Sequence, residues 1–135
     1  MKGSIDGNRL RMVLLTKNSA KFNIDLNAKD NIGMTAFHFA CSRGHAKIAE
    51  MIMKNSAKFN IDLNAKDNDG WTAFHYACVN GRTSIVDMMI NNYDAFKLDL
   101  TTRDNGGRTG FQVARYYGKH EIVKLIRSKM PSIAF

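Results

Sequence analysis

Two histidine–cysteine pairs have a spacing that could hold part of a metal site. His38 and Cys41, and again His75 and Cys78, follow the pattern H-x-x-C. On a helix this spacing puts both side chains of a pair on one face, and imidazole and thiolate are ligands that Zn²⁺ prefers. Taken alone, each pair would supply half of a zinc site.

The third occurrence of the surrounding pattern argues against zinc. Gln112 and Arg115 stand there in place of the histidine and the cysteine. Glutamine can still form hydrogen bonds, but it is a poor zinc ligand. We therefore expect the histidines to be structural and the chain to need no metal or other cofactor.

The segment AKDNDGW contains the residue types of a calcium-binding loop. Such a loop needs an acid at its first position and a bidentate glutamate at its twelfth. If Gly70 is taken as the sixth position, Ala65 and Tyr76 occupy those two places, so calcium is excluded. The chain also has no G-x-S-x-G motif and no phosphate-binding loop, and we expect it not to be an enzyme.

Internal repetition is the clearest signal in the chain. The fifteen residues KNSAKFNIDLNAKDN at 17–31 recur unchanged at 54–68. Sliding the chain by 37 residues aligns 27–63 (unit 1) with 64–100 (unit 2) at 19 positions, and 101–135 (unit 3) keeps a sparser match. Residues 7–26 match only the second half of a unit. A period of this length predicts a solenoid, in which each unit buries its apolar face against its neighbours.

Each unit has the sequence of a loop followed by two helices. The tetrapeptides DNIG, DNDG and DNGG combine residues that accept turn angles, and each predicts a hairpin-like loop, called a finger loop below. A threonine after each finger loop can cap the first helix, and Gln112 completes a capping box in unit 3. These predicted caps are Thr35, Thr72 and Thr109.

The helix boundaries continue in the same register. A glycine is expected to end each first helix, because it reverses the chain at little steric cost; these glycines are Gly44, Gly81 and Gly118. A second helix then follows, with apolar residues at the spacing of a buried stripe. The stripe residues are Ile48, Ala49, Met51 and Ile52 in unit 1 and Ile85, Val86, Met88 and Met89 in unit 2.

The segments TAFHFA and TAFHYA resemble the T-P-L-H-x-A signature of ankyrin repeats. The resemblance implies an all-α, ankyrin-type helix-turn-helix solenoid with β-hairpin-like finger loops, forming a single domain over residues 1–135. It also implies that the histidine ties the finger loop to the helix. Alanine or glycine stands where the family has proline, at Ala36, Ala73 and Gly110.

The period of 37 residues exceeds the 33 that is usual in ankyrin repeats. The four additional residues lie in NSAKFNIDL, after the second helix, and amount to about one helical turn. We expect a second helix that is one turn longer, although a longer connection to the next finger loop would also fit. Phe22, Phe59 and Phe96 recur in this segment and are expected to pack along the stack.

Composition and charge bound the location and the partners. The chain has 135 residues, 44% of them apolar, no apolar run long enough for a membrane span, and two cysteines at the same period as the repeat. We expect free, buried thiols and a cytoplasmic or nuclear protein. The net charge of +8 is concentrated near the ends: unit 3 has seven Lys and Arg against two Asp and Glu, whereas unit 2 has three against five.

The ankyrin resemblance implies a non-catalytic module that binds another protein through the finger loops and the first helices. Residues that differ between otherwise matching units are the candidates for contact, and the large aromatic ones would dominate the binding energy. Alternatively, Trp71 folds onto its own finger loop and the tyrosines cover the terminal core. The candidate set is Ile32, Met34, Ser42, Arg43, Asp69, Trp71, Val79, Asn80, Arg108, Tyr116 and Tyr117.

Two other functions stay open at this point. The basic unit 3 could bind nucleic acid or an acidic surface through Arg103, Arg108, Arg115 and Lys119, although nucleic-acid binders usually present a continuous basic stripe. The chain could also be a fragment or a designed scaffold without a natural ligand. The N-terminal half unit lacks the sequence of a first helix, which leaves that end open. The chain could self-associate through this end or could be a monomer.

Overall fold

Helices come in pairs along the chain, one pair in each of units 1, 2 and 3. The computed structural model describes residues 25–135. Apart from its last two residues, the half unit predicted at 7–26 lies outside the described residues, and so does Phe22. No strand is present in the described part, and a single 3₁₀ turn, Pro131–Ile133, follows the last helix. The described residues contain six helices, α1 (Ala36–Arg43), α2 (Ala46–Lys54), α3 (Ala73–Val79), α4 (Thr83–Asn92), α5 (Gly110–Tyr116) and α6 (His120–Lys129).

The first helices of the units form one row and the second helices form another. Helix α3 packs between α1 and α5, while α4 contacts both α2 and α6. Each first helix also packs against the second helix of its own unit. This arrangement confirms the prediction of an all-α helical solenoid.

Each first helix begins at its predicted threonine cap. The hydroxyl oxygens of Thr35, Thr72 and Thr109 accept a hydrogen bond from the backbone N–H three residues further on. Gly44, Gly81 and Gly118 all have positive φ directly at or after the helix end, as predicted from their position. The lengths of the first helices are therefore set by local chemistry at both ends.

The buried stripe of the second helices is shifted slightly from the predicted one. Ala49 and Ile52 are buried as expected, but Met53 is also fully buried, whereas Ile48 and Met51 are only partly covered. In α4 the fully or nearly fully buried side chains are Ile85, Val86, Met89 and Ile90. Both cysteines are free and completely buried in the same core, as predicted.

The four additional residues of the repeat do not lengthen the second helix, and that expectation is wrong. Helix α2 ends at Lys54, and a separate turn follows, closed by a hydrogen bond from the Ile61 N–H to the Ser56 carbonyl of 2.8 Å. The turn reverses at Asn60, whose φ of 53° lies outside the helical region. The same turn in unit 2 reverses at Lys97, with φ of 55°. The chain therefore connects to the next finger loop through a longer, hydrogen-bonded linker.

The aromatic residues of this linker pack as expected. Phe59 and Phe96 are partly buried and contact the core cluster.

Side-chain amides join the linkers of neighbouring units. Asn64 Nδ2 donates to the Lys97 carbonyl at 3.0 Å, and the Asp99 N–H donates to Asn64 Oδ1 at 2.9 Å. One unit earlier, Asn27 makes the same two bonds, to the Asn60 carbonyl at 2.8 Å and from the Asp62 N–H at 2.7 Å. The stretch at 54–68 thus receives the amide of Asn27 and supplies the amide of Asn64 to the next linker.

The finger loops are also joined in register. The backbone N–H of Asn68 donates to the Ile32 carbonyl at 2.9 Å, and that of Asn105 donates to the Asp69 carbonyl at 3.0 Å. The approach is so close that a Cβ on Gly70 would lie 2.6 Å from Asn105 Oδ1. Glycine is therefore required in unit 2 both for its positive φ and for the packing of the next loop.

Unit 3 offers a matched control for this close approach. Gly107 has φ of 80°, almost the same as the 79° of Gly70, but a Cβ there would meet nothing within 4 Å. We expect Gly107→Ala to lower the free energy of unfolding by about 1–2 kcal/mol through backbone strain alone. Gly70→Ala should lower it by roughly 1–3 kcal/mol more, because the methyl group displaces the neighbouring loop. Urea denaturation of the two variants checks this, and equal losses would contradict a tight inter-loop contact.

Candidate functional site

Two buried histidines connect the first helices to the finger loops. The ring of His38 accepts from the Thr35 N–H through Nδ1 at 3.0 Å and contacts the Trp71 carbonyl through Nε2 at 2.9 Å. His75 repeats the arrangement with Thr72 at 3.1 Å and with the Arg108 carbonyl at 2.8 Å. Because Nδ1 is an acceptor, Nε2 carries the proton and donates to the carbonyl.

The histidine bonds tie a finger loop to a helix, and the resemblance did not say which unit's loop that would be. The resemblance implied that each histidine ties the finger loop to the helix; here its second bond reaches the finger loop of the following unit. Gln112 takes the same place in unit 3 and accepts from the Thr109 N–H at 3.0 Å, which confirms the predicted capping box. All three first helices have such a box, although the sequence indicated it only in unit 3.

The histidine–cysteine pairs do not have the environment of a reactive site. Burial lowers the pKa of His38 and of His75 and raises the pKa of the Cys41 and Cys78 thiols, so both residue types stay neutral. Within residues 25–135 no group of three or more His, Cys, Asp or Glu side chains is arranged to hold a metal. The same part of the chain contains no helix that is long and apolar enough to cross a membrane.

Trp71 lies half-buried between two finger loops. Its indole N–H donates to Asp104 Oδ2 of unit 3 at 2.9 Å, and its ring stacks on His75 with centroids 5.6 Å apart. Partial burial alone would raise the pKa of Asp104, but hydrogen bonds from the Arg108 N–H, the indole and the Gly106 N–H outweigh it and lower the pKa. Trp71 therefore joins unit 2 to unit 3, in addition to offering part of its surface to solvent.

A buried aspartate, the first residue of DNDG, supports the finger loop of unit 2, and the sequence did not predict its bond to Tyr76. Asp67 Oδ1 accepts from the backbone N–H groups of Asp69 and Trp71, each at 2.9 Å, and Oδ2 accepts from the Tyr76 hydroxyl. Burial and this bond raise the pKa of Tyr76. In unit 1 the position equivalent to Tyr76 is Phe39, which has no hydroxyl, so comparing the units did not reveal this bond.

The exposed part of the candidate set lies on the finger loops and the ends of the first helices. Ile32, Tyr116 and Tyr117 are 53%, 66% and 53% exposed, and Val79, Ser42 and Trp71 are half-buried. Ser42 accepts from Asn80 Nδ2 at 3.0 Å, so candidates from units 1 and 2 are in contact. The other exposed members are Arg43, Asp69, Asn80 and Arg108.

Met34 is not a surface residue, and its inclusion in the candidate set is wrong. Its side chain is only 6% exposed. Both of its backbone groups bond to Asp30, the N–H to Oδ1 at 2.9 Å and the carbonyl to the Asp30 N–H at 2.9 Å. The closed finger loop thus directs this residue into the protein.

The two tyrosines of unit 3 stand out from the surface instead of covering the terminal core. Their rings meet edge to face with centroids 5.0 Å apart, and the Arg108 guanidinium lies 4.3 Å from the centre of the Tyr116 ring. Beside them is an open depression of about 290 Å³, lined by Arg108, Gln112, Arg115 and Tyr116.

A family model described as "Ankyrin repeats (3 copies)" matches residues 6–104 and 59–133 of the chain. The chain belongs to the ankyrin repeat family. The resemblance read from TAFHFA and TAFHYA is thereby confirmed, and ankyrin repeats generally act as protein–protein interaction modules. No curated protein matches the chain.

The basic residues of unit 3 differ in their exposure and in their contacts. Arg103 donates to the Gly107 carbonyl at 2.7 Å and lies over the Phe135 ring, so it is engaged within the protein. Arg108 and Arg115 are exposed at the depression, and Lys119 is half-buried at the start of α6. The four residues predicted from the sequence as a basic site therefore lie in different environments, and of the four, Arg108 and Arg115 line the depression.

The neutral histidines make ankyrin stability depend on pH. The unfolded chain takes up protons below the ordinary histidine pKa of about 6.5, whereas folded His38 and His75 resist protonation because their pKa is lower. Their contribution is present above pH 6.5 and is lost as pH falls below it. Neighbouring Asp67, Asp30 and Asp104 oppose the shift, while Lys29 and Lys66 reinforce it.

We expect the free energy of unfolding to fall between about pH 7.5 and 5.5, with a slope of at most about 1.4 kcal/mol per pH unit for each histidine. The variant His38→Gln with His75→Gln should lose most of this slope, because Gln112 shows that glutamine can form the same cap. Urea titrations at the two pH values measure the slope. His45 and His120 are exposed and remain in both proteins as a common background. An unchanged slope in the variant would contradict the assignment.

Proposed function

We propose that this ankyrin chain is a non-catalytic module that binds another protein through its finger loops and the ends of its first helices. The supporting observation is the exposed pair Tyr116 and Tyr117 beside Arg108, on a surface that is otherwise held in place by hydrogen bonds between units. Tyrosine, tryptophan and arginine supply most of the energy at measured protein interfaces. Tyr116, Tyr117 and Arg108 belong to the surface whose residues differ between the units, whereas the core residues repeat.

The surface is preorganised, which lowers the entropic cost of binding. The loops of units 2 and 3 are tied to each other through Asn105 and the Asp69 carbonyl, and to the helices through His75. A partner therefore meets side chains whose backbone is already ordered, so that little conformational entropy is lost on association. The remaining candidates would provide complementarity around the tyrosine pair: Ile32, Ser42, Arg43, Asp69, Trp71, Val79 and Asn80.

The cysteines support an assignment to a reducing compartment. Both thiols are free and fully buried in the core. Disulfides are rare in the cytoplasm and nucleus, where thiols stay reduced. We accordingly place the binding function in the cytoplasm or the nucleus and the partner among proteins of those compartments.

A capture experiment with matched tyrosine variants tests the proposal. Tyr116→Ala with Tyr117→Ala should weaken binding of the partner by about 2 kcal/mol or more, roughly thirtyfold in Kd, with little change in Tm because both rings are exposed. Tyr93→Ala is the control, since Tyr93 is 44% exposed but lies after α4, outside the finger loops and first helices. Wild type, the double tyrosine variant and Tyr93→Ala are each used to capture proteins from a lysate. The captured proteins are quantified by mass spectrometry.

The expected partner is retained by wild type and by Tyr93→Ala and is lost from the double variant. Capture of the same proteins at the same level by all three would contradict binding through this surface. Trp71→Ala is a poorer test, because the indole bond to Asp104 links two units and its loss would reduce stability as well as contact.

A further inference from the structure

The depression beside the tyrosines is lined by hydrogen-bond donors. Arg108 and Arg115 contribute guanidinium groups, which only donate. Gln112 uses its carbonyl oxygen in the helix cap, so the group left to face the depression is its Nε2 amide, also a donor. Tyr116 adds a hydroxyl that can donate. A ligand that satisfies this lining must be rich in acceptors.

No carboxylate within the described residues neutralises the two guanidinium groups. Two ion pairs join described residues, Lys54 with Glu50 and Lys129 with Asp87, and neither lies in unit 3's first helix or finger loop. The Arg108 guanidinium lies over the face of the Tyr116 ring, and the Arg115 guanidinium approaches the Phe111 ring. Both arginines are exposed, so their charge is available to a ligand.

The corresponding place in unit 2 shows what kind of contact this face makes. There the positions of Gln112 and Arg115 are occupied by His75 and Cys78, which are fully buried because unit 3 covers them. An apolar surface packed on the same face of unit 3 would bury a guanidinium without a counter-charge, which is unfavourable. A carboxylate placed there would instead form charge-assisted hydrogen bonds with the planar forks of the arginines.

The extent of the basic surface favours a peptide over a nucleic acid. The adjacent finger loop of unit 2 carries exposed Asp69, and unit 2 as a whole has more acidic than basic residues. A nucleic-acid backbone needs a continuous basic stripe, which this surface interrupts. The exposed rings of Tyr116 and Tyr117 add an apolar area next to the donors, which suits a side chain that neighbours an acidic one.

From these observations we infer that the depression formed by Arg108, Gln112, Arg115 and Tyr116 binds a carboxylate from an acidic protein segment, with an adjoining apolar side chain on the tyrosine pair. The inference rests on the proposed protein-binding function and names the chemistry of the partner. The carboxylate oxygens accept from both arginines and from the Gln112 amide. The contact is specific for an acceptor with the shape of a carboxylate and is local to unit 3.

Fluorescence anisotropy with a defined probe tests the inference. The probe is a labelled, terminally blocked decapeptide of glutamates around a central Leu-Phe pair, compared with its all-glutamine analogue and with a decamer of single-stranded oligothymidine. We expect the glutamate peptide to bind at least about tenfold tighter than the glutamine peptide. Arg108→Gln with Arg115→Gln should weaken its binding about tenfold or more.

The matched control is Lys47→Gln with Lys124→Gln, which removes the same charge from exposed positions of α2 and α6 outside the depression. It should change the affinity by no more than about twofold. If the glutamine pair at 108 and 115 lowers the unfolding midpoint, Arg108→Lys with Arg115→Lys replaces it and should still weaken binding, since lysine lacks the fork.

Three results would overturn the inference: no binding of the glutamate peptide to wild type, equal weakening by both variant pairs, or tighter binding of the oligonucleotide than of the peptide. The proposed function has a separate outcome. A captured partner that depends on the tyrosine pair but contacts the surface through a segment without acidic residues would refute the carboxylate assignment and leave protein binding intact.

Discussion

The fold depends on side-chain hydrogen bonds that cross from one unit to the next. Helix packing alone buries apolar surface, but it leaves the backbone groups of the finger loops and linkers unpaired at each boundary. Asn27 and Asn64 satisfy these groups at the linkers, and the histidines do so at the finger loops. Each of these bonds needs a partner at a fixed distance in the next copy, and so the residues recur at a period of 37.

This constraint separates residues that must repeat from residues that can vary. The capping threonines and the glycines after the first helices set the ends of helices, and the bridging asparagines contact a neighbouring copy. Positions such as Ile32, Asp69 and Tyr116 point away from the stack, so their identity is free to serve a partner. Under the proposed function, contact with a partner and folding are therefore carried by different residues of the same loops. Trp71 is the exception, because its indole serves the stack while one side remains exposed.

Local sequence chemistry predicted the elements well and their connections less well. The helix starts and ends follow from Thr72 and Gly81 and their equivalents, whose effects act within one turn of the chain. The linker was predicted as helix because the equivalent residue in unit 2 is Lys97, which does not favour a positive φ, and Asn60 alone was not taken as the end of the helix. That conformation is held by the amide of the preceding unit, which is a contact distant in sequence.

The candidate surface, too, was predicted from the sequence only in part. Difference between the units predicted the exposure of Tyr116 and Tyr117, although the sequence also allowed them to cover the terminal core. The same criterion selected Trp71, whose indole is bonded to the next unit. Burial of Met34 was missed because variation there reflects packing under the finger loop instead of contact with solvent. The bond between Tyr76 and Asp67 was also missed, since it depends on how the loop folds back onto the helix.

Hydrogen exchange at two linker amides tests most directly whether side chains hold the units together. The Asp99 N–H bonds to Asn64 Oδ1 and the Asp62 N–H to Asn27 Oδ1, in equivalent and exposed positions. In the variant Asn64→Ala, the account predicts that Asp99 loses its protection while Asp62 keeps it. Unchanged protection at Asp99, or equal loss at both amides, would contradict a stack held by these individual bonds.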